Sequence, residues 1–130
     1  MIKFSLRGKS SEDLGKMELG EFITMLTSRE RRSLKRAIKN GFPADQKKLR
    51  DSIKKDPKKF HRAKCREMVI IPQMLGCKIG VHNGKEYVPV EITAEKLGHR
   101  LGEFALTRKQ VKHSAPGFGA TRSSKYIPLK

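Results

Sequence analysis

The chain is short of acids. Thirteen Asp and Glu stand against 30 Lys and Arg, a formal net charge of +17 at pH 7. An excess of that size excludes a free domain without a polyanionic partner, because self-repulsion costs stability until phosphates neutralise it. Cysteine is scarce too. Cys65 and Cys77 are too few to frame disulfides in 130 residues. A metal site drawn from His61, Cys65, Cys77 and His82 lacks the two tight ligand pairs of common zinc sites. No run approaches the ~18 apolar residues of a spanning helix, and the opening MIKFSLRGKSS has no apolar signal-peptide region. Catalytic motifs are missing as well. No pattern couples a nucleophile to a base. Gly117-Phe118-Gly119 is not followed by the Lys-Ser/Thr of a phosphate loop. These absences leave a non-enzymatic, cofactor-free and metal-free protein whose partner is a polyanion other than a membrane.

What is present begins with helices. Ser10 or Ser11 is placed to cap a turn starting at Glu12-Asp13. Leu19, Phe22, Ile23 and Leu26 form an apolar stripe at helical spacing. Thr27 or Ser28 caps a strongly basic helix whose apolar face is only Leu34, Ala37 and Ile38, and Asn40-Gly41 stops it. A further helix runs from Pro43 to about Lys55, with Leu49 and Ile53 inward and Pro57 as its end. From Arg29 to Arg66 there are 16 Lys or Arg and 4 acids. A solvated helix would interleave its signs, so residues 1–63 are expected to form a helical basic N-terminal extension whose folding is completed by RNA.

Residues 64–107 read as an α+β core. Met68-Val69-Ile70-Ile71 is an apolar run with the look of a buried strand, ended by Pro72. Ile79 and Val81 alternate with Gly80 and His82, and Asn83-Gly84 then separates them from Tyr87, Val88, Val90 and Ile92. That pattern predicts a hairpin with a type I′ turn, which needs positive φ at both central residues. Pro89 must turn its missing N–H away from a partner or sit at a bulge. Thr93-Ala94-Glu95-Lys96 reads as a capped helical turn ended by Gly98, with a second compact unit over Leu101–Thr107. The expected fold is a small two-layer domain with a three-stranded sheet and a covering helix. Its core draws on Met68, Ile70, Ile79, Val81, Val88, Val90, Ile92, Leu97, Leu101 and Phe104.

Asn83-Gly84-Lys85, Ile92, Leu97-Gly98, Leu101-Gly102-Glu103-Phe104 and Thr107 fall at the spacing of a ribosomal signature. The stretch from Arg66 to Lys130 resembles the small-subunit S-nineteen family, called S-fifteen in eukaryotes. The helical extension and the ending HSAPGFGATRSSKYIPLK resemble its archaeal and eukaryotic members. The resemblance implies a cytoplasmic ribosomal protein in the head of the small subunit, beside a protein of the S-thirteen family, near the bridge to the large subunit. It also implies a C-terminal tail that approaches tRNA at the decoding site.

The residues expected to meet rRNA are Lys64, Arg66, Asn83, Lys85, His99, Arg100, Arg108, Lys109, Lys112 and His113. Asn83, Lys85, His99 and Arg100 are expected on exposed turns. Histidines suit phosphate or 2′-OH contacts or stacking. The tail, residues 108–130, has six Lys or Arg and no acid. Within it Arg122, Ser123, Ser124, Lys125 and Tyr126 offer two cations, two hydroxyls and a ring to RNA or tRNA. Two other classes compete. A free RNA-binding regulator or architectural DNA protein lacks a convincing groove-reading helix, and an RNA-modifying enzyme lacks a catalytic set.

Overall fold

The structure, a computed structural model, describes residues 4–111 together with residues 117, 120, 122 and 123. It opens on a small hairpin, β1 (Ser5–Leu6) against β2 (Lys9–Ser10). Arg7 and Gly8 turn it with φ of 48° and 83°. Helix α1 (Ser11–Lys16) follows, and Ser10 caps it. The Ser10 hydroxyl accepts from the Asp13 N–H, and the Asp13 carboxylate accepts from the Ser10 N–H. Two of the helix's orphan donors are satisfied in this way.

Helices α2 (Leu19–Met25), α3 (Ser28–Asn40) and α4 (Ala44–Lys55) match the stripes read from sequence. Phe22, Ile23, Leu26, Leu34, Leu49 and Ile53 are buried, whereas Ile38 is 52% exposed, so α3 rests on little more than Leu34. Thr27 holds the N-cap position of α3, but its hydroxyl donates to the Glu30 carboxylate and not to a backbone group of the helix.

The sheet has three strands, as expected, but not the expected three. Its order is β3 (His61–Ala63), β4 (Lys78–His82), β5 (Tyr87–Glu91), with β3 parallel and β5 antiparallel to β4. The Met68–Ile71 run is buried throughout, yet it is not a strand of this sheet. Its backbone bonds with the segment after β5 instead. Ile70 N–H donates to His99 O at 2.8 Å, Gly98 N–H to Ile70 O at 3.0 Å, and Leu101 N–H to Met68 O at 3.0 Å. The pairing shortens to a single bridge, Val69 with Arg100, because Pro72 starts a 3-10 turn and Leu101 starts another.

The strand that takes its place is polar in sequence. His61 and Ala63 point inward and Arg62 outward. Burying a histidine requires partners for both ring nitrogens. His61 Nε2 donates to Asp56 O at 2.8 Å, and Nδ1 accepts from the Ser52 hydroxyl at 2.9 Å. A carbonyl can only accept, which fixes the tautomer. These bonds tie the end of α4 to β3.

The β4–β5 hairpin is where sequence placed it, but its turn differs. His82 pairs Tyr87, leaving a four-residue loop, and only Gly84 has positive φ there, at 105°. The Asn83 side chain organises the loop instead, accepting from the Lys85 and Glu86 N–H groups at 3.0 and 2.9 Å. An asparagine that accepts from the backbone two residues on needs no left-handed φ of its own. Pro89 sits opposite Gly80 on the edge strand. The bonded pairs run through Asn83–Glu86 and Cys77–Ile92, and their alternation turns the Pro89 nitrogen outward, as required.

Ala94–Lys96 forms a 3-10 turn after Thr93, whose side chain makes no cap bond, and Gly98 follows with φ of 80°. A Cβ there would lie 2.7 Å from Leu26 Cδ2, so both backbone and space demand glycine. One hydrophobic cluster joins all of this, from Leu14 and Phe22 to Leu101 and Ala105. Val88 and Phe104 stand at its margin, half-buried.

Candidate nucleic-acid interface

Helix α3 builds the most basic surface. Ser28, Arg31, Arg32, Lys35, Arg36 and Lys39 line one shallow groove. Their spacing of three and four residues stacks them on one side of the helix. Leu34, Ser33 and Glu30 take the other side, toward the fold. Arg31 with Lys35, Arg32 with Arg36, and Lys35 with Lys39 are like-charged pairs four apart, each unfavourable by a few tenths of a kcal/mol. Among the described residues, the only Lys or Arg within 4 Å of a carboxylate are Lys9, on Glu21 at 3.6 Å, and Arg100, on Glu30 at 3.7 Å. The remaining described cations face solvent, carbonyls or rings, as Arg50 does with its guanidinium 4.2 Å from the Phe42 centroid. A surface like this attracts phosphate without offering it a competing anion.

Three arginines are held by the fold. Arg31 donates to Leu26 O at 2.8 Å, satisfying the C-terminus of α2. Arg66 is half-buried and donates to His82 O, Gly102 O and Ala105 O at 2.6, 2.9 and 2.7 Å. It thereby joins the end of β4 to the last 3-10 turn. Arg100 lies beneath α3 with its side chain 17% exposed, rather than on an exposed turn. It reaches the Ser33 hydroxyl at 3.0 Å and Glu67 O at 3.3 Å, besides Glu30.

The other expected contacts lie as follows. Lys85 is exposed at the hairpin tip, and Asn83, half-buried, shapes that tip. His99 is exposed, with Nδ1 2.8 Å from the Glu103 carboxylate and its ring edge-on to Phe104. Lys64, Arg108 and Lys109 are exposed. Arg122 and Ser123 are exposed too, whereas Lys112, His113, Ser124, Lys125 and Tyr126 lie outside the described residues. Lys85 and Lys64 therefore remain available to a ligand, and His99 only through the nitrogen away from Glu103, while Arg66 and Arg100 give guanidinium N–H groups to carbonyls and a hydroxyl of this chain.

The residues drawn on for a metal site are apart from one another in role. His61 is saturated by Ser52 and Asp56, and His82 Nδ1 accepts from the Gly84 N–H at 3.1 Å. Burial pushes the Cys65 and Cys77 thiols up. No group of three His, Cys, Asp or Glu among the described residues could hold an ion.

The stripe on α3 is absent from the residue-by-residue expectation. Its signal was in the sequence: cations recurring at 31, 32, 35, 36 and 39, on the side of the helix opposite Leu34. Residues 32–113 match the sequence profile of the family described as Ribosomal protein S19. The match begins inside the basic helix, well before the Arg66 start of the resemblance, and ends at His113, before most of the tail. It takes in α3 from Arg32 onward, all of α4, the whole sheet and both segments that pair beneath it, well over half of the chain, and so this protein belongs to the ribosomal S-nineteen family, whose members are structural constituents of the ribosome.

Proposed function

We propose that the chain is built into the small ribosomal subunit and holds rRNA by neutralising phosphate repulsion where RNA helices meet. The observation that carries this reading is the α3 stripe, a row of cations with no carboxylate within reach, lying almost wholly inside the family match. Lys85 and His99 add donors on the exposed turns of the sheet domain, and Lys64, Arg108 and Lys109 flank it. Phosphate contacts position such a protein, and the shape of the RNA selects it.

The finer setting follows from the resemblance. The protein sits in the subunit head beside a member of the S-thirteen family, in the cytoplasm. Residues 1–63 serve as the helical extension of the archaeal and eukaryotic type, 64–107 as the rRNA-binding unit, and 108–130 as a tail toward tRNA at the decoding site. Gradient sedimentation of a lysate tests the assembly. Stoichiometric co-migration with small subunits is expected, and a largely free pool would favour a regulatory RNA-binding protein instead. Deleting residues 116–130 tests the tail. The truncated chain should fold and assemble, since among the described residues the buried cluster ends at Ala105, while tRNA accommodation or decoding accuracy falls. Wild-type accuracy after truncation would reduce the tail to an electrostatic tether.

A further inference from the structure

The outer face of the sheet carries a surface of another kind. Alternation along the chain puts Arg62 on the face opposite buried His61 and Ala63, and Phe60 and Lys64 are exposed on either side of it. Register places Arg62 beside Gly80 and Gly80 beside Pro89. Between this face and α4 lies a cleft of about 410 Å³. Lys48, Lys59, Phe60, Arg62, Lys64 and Tyr87 line it, and Asp45 is the one carboxylate on its wall. A Cβ on residue 80 would stand 2.5 Å from Phe60 Cζ and 3.0 Å from Cε1. Glycine at that point lets the tip of the ring seat directly against β4.

The two rings of the cleft differ. Tyr87 is half-buried, meets His82 edge-on with centroids 4.9 Å apart, and carries the Arg62 guanidinium 5.5 Å from its centroid. Phe60 has no ring or cation partner among the described residues and is 43% exposed. A large apolar ring left open among four cations is costly for a surface that only needs to meet phosphate. It suits a ligand that is flat and apolar at its centre and anionic at its edges. An unstacked nucleotide has that character, whereas a duplex keeps its bases stacked out of reach.

We propose that this cleft receives one unstacked base of single-stranded RNA. The base stacks on Phe60, and the phosphates on either side meet Lys48, Lys59 and Lys64. The inference rests on the rRNA-binding reading and adds to it a place where the protein reads an unpaired nucleotide and not only duplex backbone. The full-length protein is titrated with a short unstructured pyrimidine RNA and with a blunt RNA duplex. Phe60→Leu keeps an apolar side chain on Gly80 and removes the stacking surface. It should weaken single-strand binding by about 5- to 160-fold, the size of one lost base–aromatic stack, and leave duplex affinity within about twofold. Phe60→Trp should retain single-strand affinity. Because the chain has no other tryptophan, its indole emission should respond to the single strand and not to the duplex. Equal losses on both RNAs would make Phe60 structural, and an indole that responds to an acidic peptide but not to RNA would make the cleft a protein site. Either result overturns the proposal, as does intact duplex binding with a silent Phe60. If wild-type protein binds neither RNA, the rRNA reading itself falls.

Discussion

Helix α3 and strand β4 solve opposite problems within one fold. Of the five residues of β4, Ile79, Gly80 and Val81 are buried, and the strand is bonded on both edges. Of the thirteen residues of α3, only Leu34 is buried. The strand is held by area removed from water. The helix is held by one leucine and by polar ties from below, chiefly Arg100 to Ser33 and Glu30. Its outer side works against it, since cations four apart repel. The contrast teaches that the basic surface is stabilised from beneath by other elements, since the helix that carries it buries one residue of its own.

The sharpest way to break this comparison is at α2. Phe22 is fully buried in the cluster shared by helices and sheet. Phe22→Ala should cost about 4 kcal/mol. Far-UV circular dichroism and amide signals from β4 should then melt together. Two separate transitions would mean that the helical layer is its own unit, ordered mainly by RNA.

Next is Arg66. Replacing it with Ala leaves the His82, Gly102 and Ala105 carbonyls without their charged donor, at an expected cost of about 3 kcal/mol. Arg66→Lys should recover little, because an ammonium cannot span a guanidinium fork. Urea midpoints of the two variants check this, and an Arg66→Ala protein of wild-type stability would recast the residue as an RNA contact.

Arg100→Ala should act more locally. Losing the ties to Ser33, Glu30 and Glu67 should cost about 2 kcal/mol. Hydrogen exchange should speed up in α3 before β4. Uniform acceleration would show that α3 is held by the apolar cluster alone.

The double substitution Arg32→Ala, Lys35→Ala reverses the pattern. Stability should stay within about 0.5 kcal/mol of wild type, since both side chains are exposed and unpaired. Affinity for duplex rRNA should fall, and the salt slope should flatten by about 0.9 per lost phosphate contact. An unchanged slope would remove the α3 stripe from the interface.

The smallest effect is expected at α1. The Ser10 hydroxyl and backbone hold the Asp13 carboxyl below its ordinary value of 3.8. A lowered folded pKa contributes stability that is present above 3.8 and is lost as pH falls through the lowered value. Acid titration followed at the Ser10 and Asp13 amides should show the cap opening below 3.8. A midpoint at or above 3.8 would mean that the cap is not formed in solution.

Much of this was legible because the deciding physics is local. The stripes Leu19-Phe22-Ile23-Leu26 and Leu49-Ile53, the Ser10 cap, the stop after Asn40 and the β4–β5 hairpin depend on residues within a few positions of one another. The third strand was not legible. Met68–Ile71 has every local mark of a strand and His61–Ala63 has almost none, yet the sheet takes the latter. Partners distant in sequence decide between them. Gly98 to Leu101 occupy the backbone of the first, while Ser52 and Asp56 make burial of His61 tolerable. The candidate surface divides in the same way. Lys85 and His99 could be placed on turns from sequence, but nothing local distinguishes Arg66 and Arg100 from the cations around them.

The sequence by itself determined the charge, the apolar stripes of α2 and α4, the hairpin and the family, since composition, period and motif spacing are properties of the chain. Only the tertiary structure decided which cations are free. A guanidinium is committed or available according to the carbonyls and carboxylates that folding brings to it. For Arg66 those groups come from 16 to 39 residues away, and for Arg100 from 33 to 70 residues away, separations over which local pattern carries no information.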